Sequence, residues 1–251
     1  MGSLAGKTAV IAGASGEANF GVAIARRLAA EGANVVVAGR RRDVLETVAA
    51  EVGGLAVTCD VTDESQLENL FAEASREFGN VNIAVYSVGM HAAAGIAELN
   101  ADMIRPTLEL SFVGALLFFK HAAAAMRDGG SVITISSLTA RIPGEGLSVY
   151  AGARAGIDYV IKVAAKEYGG RKVRFNSIAA SLIETDMTSG YFTMDAVLQG
   201  HLKATPCGRM GTLEDMAEAA LFLADEARSG FINGQVLDLA GGQQNGSLPQ
   251  F

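Results

Sequence analysis

Residues 8–39 read TAVIAGASGEANFGVAIARRLAAEGANVVVAG, and the fold depends on how they are parsed. The opening KTAVIAG is a short apolar run of the length and composition of a buried strand. GVAIARRLAAEG then repeats its apolar residues at helical spacing, with Gly32 just past the end, where a left-handed residue closes a helix without steric cost. NVVVAG returns to a strand pattern. Strand, helix and strand within about 30 residues make one βαβ unit.

The same alternation continues along the chain. RDVLETVAAEV predicts a helix, LAVTCD a strand, DESQLENLFAEASREFG a helix and NIAVYSVG a strand, followed by one long helical stretch from about Asp102 to Met126. SVITISS, KVRFNSIAA and GQVLDLAGG read as further strands, separated by the helices YAGARAGIDYVIKVAAKEYG and TLEDMAEAALFLAD. Crossovers of one hand between such strands build a parallel sheet covered on both faces. The expected fold is therefore α/β, a Rossmann-like doubly wound sheet of about seven strands, with residues 1–251 forming a single domain.

Composition narrows the function classes. Half of the 251 residues are apolar and 19% are charged, yet no uninterrupted apolar run approaches the roughly 18 to 20 residues that cross a bilayer. No membrane association is expected, and MGSLAGKTAV lacks the pattern of a secretory signal. Cys59 and Cys207 are too few for a disulfide framework and lack metal-ligand spacing, so the expectation is free thiols, no metal and a reducing cytoplasm. A net charge of −7 opposes nucleic-acid binding, and the one dense basic run is Arg40, Arg41 and Arg42.

Between the first strand and first helix lies AGASGEANFGVAIA, with glycines at 13, 16 and 21. Glycine lets backbone turn tightly against a diphosphate, and the helix N-terminus that follows presents N–H groups and a positive dipole. Gly13, Ser15, Asn19, Phe20 and Gly21 are the cofactor-binding candidates in this turn. After the second strand, AGRRRD has Gly39 and Arg40 where an acidic residue would bind the ribose 2′-hydroxyl of NAD. Arginine pairs instead with a 2′-phosphate, so Arg40 and Arg41 favour NADP, with NAD as the alternative, and Arg42 reads as part of the next helix. In TCDVTD, Asp60 with Val61 is assigned to the adenine end and Asp63 to the cap of the following helix.

The order of these motifs resembles the short-chain dehydrogenase/reductase family across nearly the whole chain: a glycine-rich turn, CDVTD, a strand ending in Gly89, Ser137, Tyr150 thirteen residues later, then Asn176, Thr185 and AGG. The resemblance implies an oxidoreductase in which Ser137 binds a carbonyl or hydroxyl, Tyr150 is the acid/base, and Gly89, Ile183 and Thr185 contact the nicotinamide half of the cofactor, as do Tyr150 and the residue four positions on. A phenol of pKa ~10 needs a neighbouring cation to act near neutrality. Most members supply it as a lysine four residues after the tyrosine; here it is Arg154, on the same helix face as Tyr150. Guanidinium keeps the charge but is effectively never deprotonated, so a proton relay through it is not expected.

Other positions depart from the family pattern. Ser111 in LELSFVG replaces the usual active-site asparagine and is the fourth catalytic candidate; YSVG replaces Asn-Asn-Ala-Gly, AASLIET replaces the usual Pro-Gly, and Asn19 stands at the second glycine of the turn. Enoyl reductases of the superfamily place lysine seven residues after the tyrosine, where this chain has Ile157. Ser, Tyr and Arg at this spacing also resemble the halohydrin dehalogenases, lyases of the same fold that use no cofactor. A nucleotide-binding member without catalysis is a third reading. Ser181 to Cys207, with Met187, Tyr191, Phe192 and Met194, is the candidate lid and points to a small, apolar carbonyl or alcohol substrate. Among the histidines, His91 is a candidate for the pocket, His121 for packing and His201 for the lid. The apolar helices at 111–126 and 150–168 correspond to subunit interfaces in the family, which implies a homotetramer or homodimer.

Overall fold

The computed structural model describes residues 2–90 and 93–246. Seven strands form one sheet in the order β3-β2-β1-β4-β5-β6-β7, and every neighbouring pair is parallel. They are β1 (Thr8–Ala12), β2 (Asn34–Gly39), β3 (Leu55–Thr58), β4 (Val81–Tyr86), β5 (Gly130–Ser137), β6 (Val173–Ala180) and β7 (Val236–Leu239). Helices α1 (Phe20–Ala30), α2 (Arg42–Val52), α3 (Glu64–Phe78), α4 (Ala101–Leu108), α5 (Gly114–Ala125) and α6 (Ser148–Tyr168) alternate with the first six strands. Four more helices follow β6: α7 (Ser189–Phe192), α8 (Asp195–Ala204), α9 (Leu213–Ala224) and α10 (Glu226–Ser229).

The period-2 alternation of strand side chains sorts the core into two layers. Ile11, Val37, Val85 and Ile135 point toward α1, α2 and α9, while Val10, Val36, Ala84 and Phe175 point toward α3, α5 and α6. Strand order reverses between β1 and β4, and a cleft opens there at the carboxyl ends of the strands.

Local signals work as the sequence indicates. Gly32 closes α1 with φ +87°, and Asp63 caps α3 by accepting from Ser65 N at 2.9 Å and Gln66 N at 3.3 Å. The long helix at 102–126 is interrupted: between α4 and α5, Glu109–Val113 form a π-helical turn. The wider turn offers the Leu110 carbonyl to Tyr86, whose hydroxyl donates to it at 2.6 Å. Residues 101–125 are long and apolar enough to cross a membrane by length and composition. In the fold they lie in a helical layer over the sheet, with the Phe118 ring tilted against Phe71 of α3, centroids 5.2 Å apart, and Lys120 donating to Glu64 at 2.5 Å.

Candidate active site

At the carboxyl edge a cavity of about 690 Å³ runs from the glycine-rich turn to α6. Gly13, Ser15, Asn19 and Phe20 line it after β1, Arg40 and Arg41 after β2, and Asp60 and Val61 after β3. Gly89 follows β4, Ser137 ends β5, Tyr150 and Arg154 reach in from α6, and Ile183 and Thr185 follow β6. Residues far apart in sequence thus share one continuous wall.

The turn is built for close backbone approach. Gly13 has φ +91°, and a Cβ there would lie 2.5 Å from the Ser87 carbonyl oxygen, so only glycine fits. Asn19 is extended and caps α1, its Oδ1 accepting from Val22 N at 2.8 Å. Gly21, assigned to the cofactor turn from sequence, is not among the residues that line the cavity. A Cβ at Gly21 would stand 2.6 Å from the Gly13 carbonyl oxygen, so its role is to let α1 pack on the turn. The turn is also tied to the segment after β6: Ala18 N donates to Asp186 Oδ1 at 3.1 Å and Asp186 N to the Ala18 carbonyl at 2.8 Å.

These features fit a dinucleotide. The glycine cradle and first turn of α1 suit a diphosphate, and no carboxylate stands at Gly39 to oppose a 2′-phosphate near the exposed Arg40 and Arg41. Arg42 turns away and donates to Glu46 at 2.7 Å within α2. Asp60 Oδ1 accepts from Thr62 N at 3.0 Å and Thr62 Oγ1 at 2.8 Å. These bonds, with the nearby Arg40 charge, hold its carboxyl below the usual range.

At the other end, Ser137 Oγ accepts from Thr139 N at 3.2 Å and Thr139 Oγ1 at 2.9 Å. Both bonds use its lone pairs, which leaves its own proton to donate to a ligand oxygen. Arg154 is 5% exposed. Its Nη1 donates to the Ile135 carbonyl at 2.9 Å and its Nη2 to the Val88 carbonyl at 3.2 Å. Its Cζ lies 5.2 Å from the centre of the Tyr150 ring, within cation–π range. A Cβ at Gly89 would overlap Arg154 Nη2, so the glycine makes room for the guanidinium. The cation is bolted to the ends of β4 and β5, with both terminal nitrogens committed to backbone.

Ser111 does not join this group. It sits in the π-helical turn, fully buried, its hydroxyl without a hydrogen-bond partner and absent from the cavity wall. Its neighbour Leu110 lines the cavity in its place, while the Leu110 carbonyl accepts from Tyr86. Tyr86 was overlooked in the sequence: the same residue that breaks the family's Asn-Asn-Ala-Gly pattern satisfies the Leu110 carbonyl. No local motif advertises a partner 24 residues away.

The segment predicted as a lid covers the substrate end through Met187, Tyr191, Val197 and His201. His201 Nδ1 lies 3.4 Å from Gln243 Nε2, His121 rests against Glu64 away from the cavity, and His91 lies outside the described residues. Cys59 and Cys207 are both free, and burial pushes the Cys59 thiol up to about 12. Among the described residues there is no cluster of metal-ligating side chains.

A seven-stranded doubly wound parallel sheet with serine, tyrosine and arginine gathered at its carboxyl edge places the chain in the Rossmann-like α/β class. A family model described as Enoyl-(Acyl carrier protein) reductase matches residues 13–244, and the chain belongs to the short-chain dehydrogenase/reductase family. It is 34% identical to carbonyl reductase family member 4 of Xenopus tropicalis, over 94% of this chain and 98% of that one. It is 30% identical to 3-oxoacyl-[acyl-carrier-protein] reductase of Homo sapiens, over 91% and 95%. A solved short-chain type dehydrogenase/reductase from Mycobacterium ulcerans superposes with a TM-score of 0.92 at 28% identity, covering 99% of this chain and 93% of that one.

Proposed function

We propose that the chain is an NADP-dependent oxidoreductase interconverting a small apolar carbonyl compound and its alcohol, with Tyr150 as acid/base. The observation that carries this reading is the single cavity joining Gly13, Arg40 and Asp60 to Ser137 and Tyr150. Gly13, Asn19 and Phe20 would hold the diphosphate, Arg40 and Arg41 the 2′-phosphate, Asp60 and Val61 the adenine, and Gly89, Ile183 and Thr185 the nicotinamide end. The bound nucleotide supplies or accepts the hydride.

This chain's residues do the rest. As charge builds on the substrate oxygen, Ser137 Oγ donates a hydrogen bond and Tyr150 Oη gives up its proton. Arg154 contributes a fixed positive charge beneath the phenol and does not pass the proton on. Leu138, Ile142, Leu147 and Leu182 make the substrate end apolar. Ile157 stands where enoyl reductases carry lysine, which favours C=O over C=C reduction. The outward Val113, Leu116, Tyr159 and Val163 support assembly as a homotetramer or homodimer.

Titration with NADPH and NADH, followed by nucleotide fluorescence, tests the reading. NADPH binds more tightly, Arg40→Ala weakens NADPH about tenfold or more while sparing NADH, and Tyr150→Phe binds NADPH but turns over no carbonyl compound. Indifference to both dinucleotides, with release of halide from a vicinal halohydrin, would replace this reading with the lyase one.

A further inference from the structure

Tyr150, Arg154 and Asp158 follow at i, i+4 and i+8 on α6 and share one face. Asp158 is 8% exposed. Its Oδ2 accepts from Ser136 Oγ of β5 at 3.0 Å and its Oδ1 from Ser177 Oγ of β6 at 2.8 Å. Burial pushes its carboxyl above the usual range, while the two serine hydroxyls, Arg141 and Arg154 pull the other way. Arg141 is itself paired with Asp238 of β7. A buried carboxylate costs stability that an apolar side chain would not, so what it holds matters.

It holds the end of β5. Ile135, Ser136 and Ser137 are consecutive: Arg154 grips the first through its carbonyl, Asp158 the second through its hydroxyl, and the third faces the cavity. We propose that Asp158 is a positioning residue that keeps the helix bearing Tyr150 in register with the strand bearing Ser137. The inference rests on the catalytic reading of those two residues. Its two serine contacts have different duties: the Ser136 bond adjoins the site, whereas the Ser177 bond anchors the helix to the next strand.

The test uses Asp158→Ala, Asp158→Asn, Ser136→Ala and Ser177→Ala in the full chain, assayed with NADPH and whichever carbonyl compound the wild type reduces. Asp158→Ala lowers kcat roughly 10- to 100-fold, the scale of an ångström-level misplacement, with NADPH Kd unchanged. Asparagine, which can accept from one serine and donate to the other, restores most of kcat. Ser136→Ala reproduces the loss, and Ser177→Ala lowers Tm at wild-type kcat. Wild-type kcat in Asp158→Ala, equal impairment of the asparagine variant, or equal effects of the two serine variants overturns the proposal. Should Asp158→Ala fail to fold, Ser136→Ala against Ser177→Ala decides. A wild type without turnover defeats the catalytic reading instead. Crystal structures then judge the positioning: the Ser137 Oγ to Tyr150 Oη separation changes in Asp158→Ala or Ser136→Ala and not in Asp158→Asn, and an unchanged separation in both sinks it.

Discussion

Arg154 shows how one residue can keep a charge and change the wiring around it. Its donors end on the Ile135 and Val88 carbonyls, so Arg154→Ala strands two polar groups and is expected to cost about 2 to 6 kcal/mol in urea unfolding, at roughly 1–3 kcal/mol per unsatisfied group. Arg154→Lys retains the charge and one such bond, and carbonyl turnover survives it while falling sharply in the alanine variant; equal losses in both would show that charge is not what the site needs. The spacing of Ser137 and Tyr150 in sequence was enough to pair them, and they line one cavity, whereas the burial of Ser111 follows from a helix irregularity that the apolar pattern does not show. The thiols give a simpler check. With Cys207 exposed and Cys59 buried, its thiol raised to about 12, a thiol reagent at mildly alkaline pH should titrate one group per native chain and a second only on unfolding.

Elements carry what single residues cannot. Helical periodicity located residues 102–126, but a π-helical turn adds a residue without disturbing the apolar pattern enough to be read, so the kink and its Tyr86 contact were invisible. Tyr86→Phe leaves the Leu110 carbonyl without that donor, and a loss of about 1 to 3 kcal/mol in equilibrium unfolding is expected. The start of α9 is closed by a capping box, with Thr212 followed three residues later by Asp215. Arg209 above all, then Thr212, lowers the Asp215 carboxyl to about 2. A depressed carboxyl stabilises the fold above its ordinary value of 3.8 and loses that contribution as pH falls toward about 2. Asp215→Asn should therefore cost at most about 1 kcal/mol near neutral pH, the upper end for a solvent-screened ion pair, and the gap in Tm from wild type should narrow between pH 4 and 2. A gap independent of pH would assign the effect to the cap geometry alone.

For the whole molecule, the alternation of strands and helices was enough to give a parallel sheet of about seven strands covered on both faces, and alternate side chains of its strands face the two helical layers. What sequence left open is how the loops converge, and with it the tie between the glycine-rich turn and Asp186. That convergence places the active-site cavity at one edge and leaves apolar side chains on the outer faces of α5 and α6. Tyr159 is 68% exposed and Val163 42%, and they lie four residues apart on one stripe of α6. Across the two-fold axis of a homodimer or of a tetramer built from two-fold interfaces, such a stripe meets its own copy, so a like charge introduced there faces itself. Light scattering should give a multiple of the 25.9 kDa chain mass, and Tyr159→Glu combined with Val163→Glu should reduce it while leaving NADPH binding intact. A wild-type mass of a single chain would mean that these side chains are simply exposed, and that the cavity needs no second subunit.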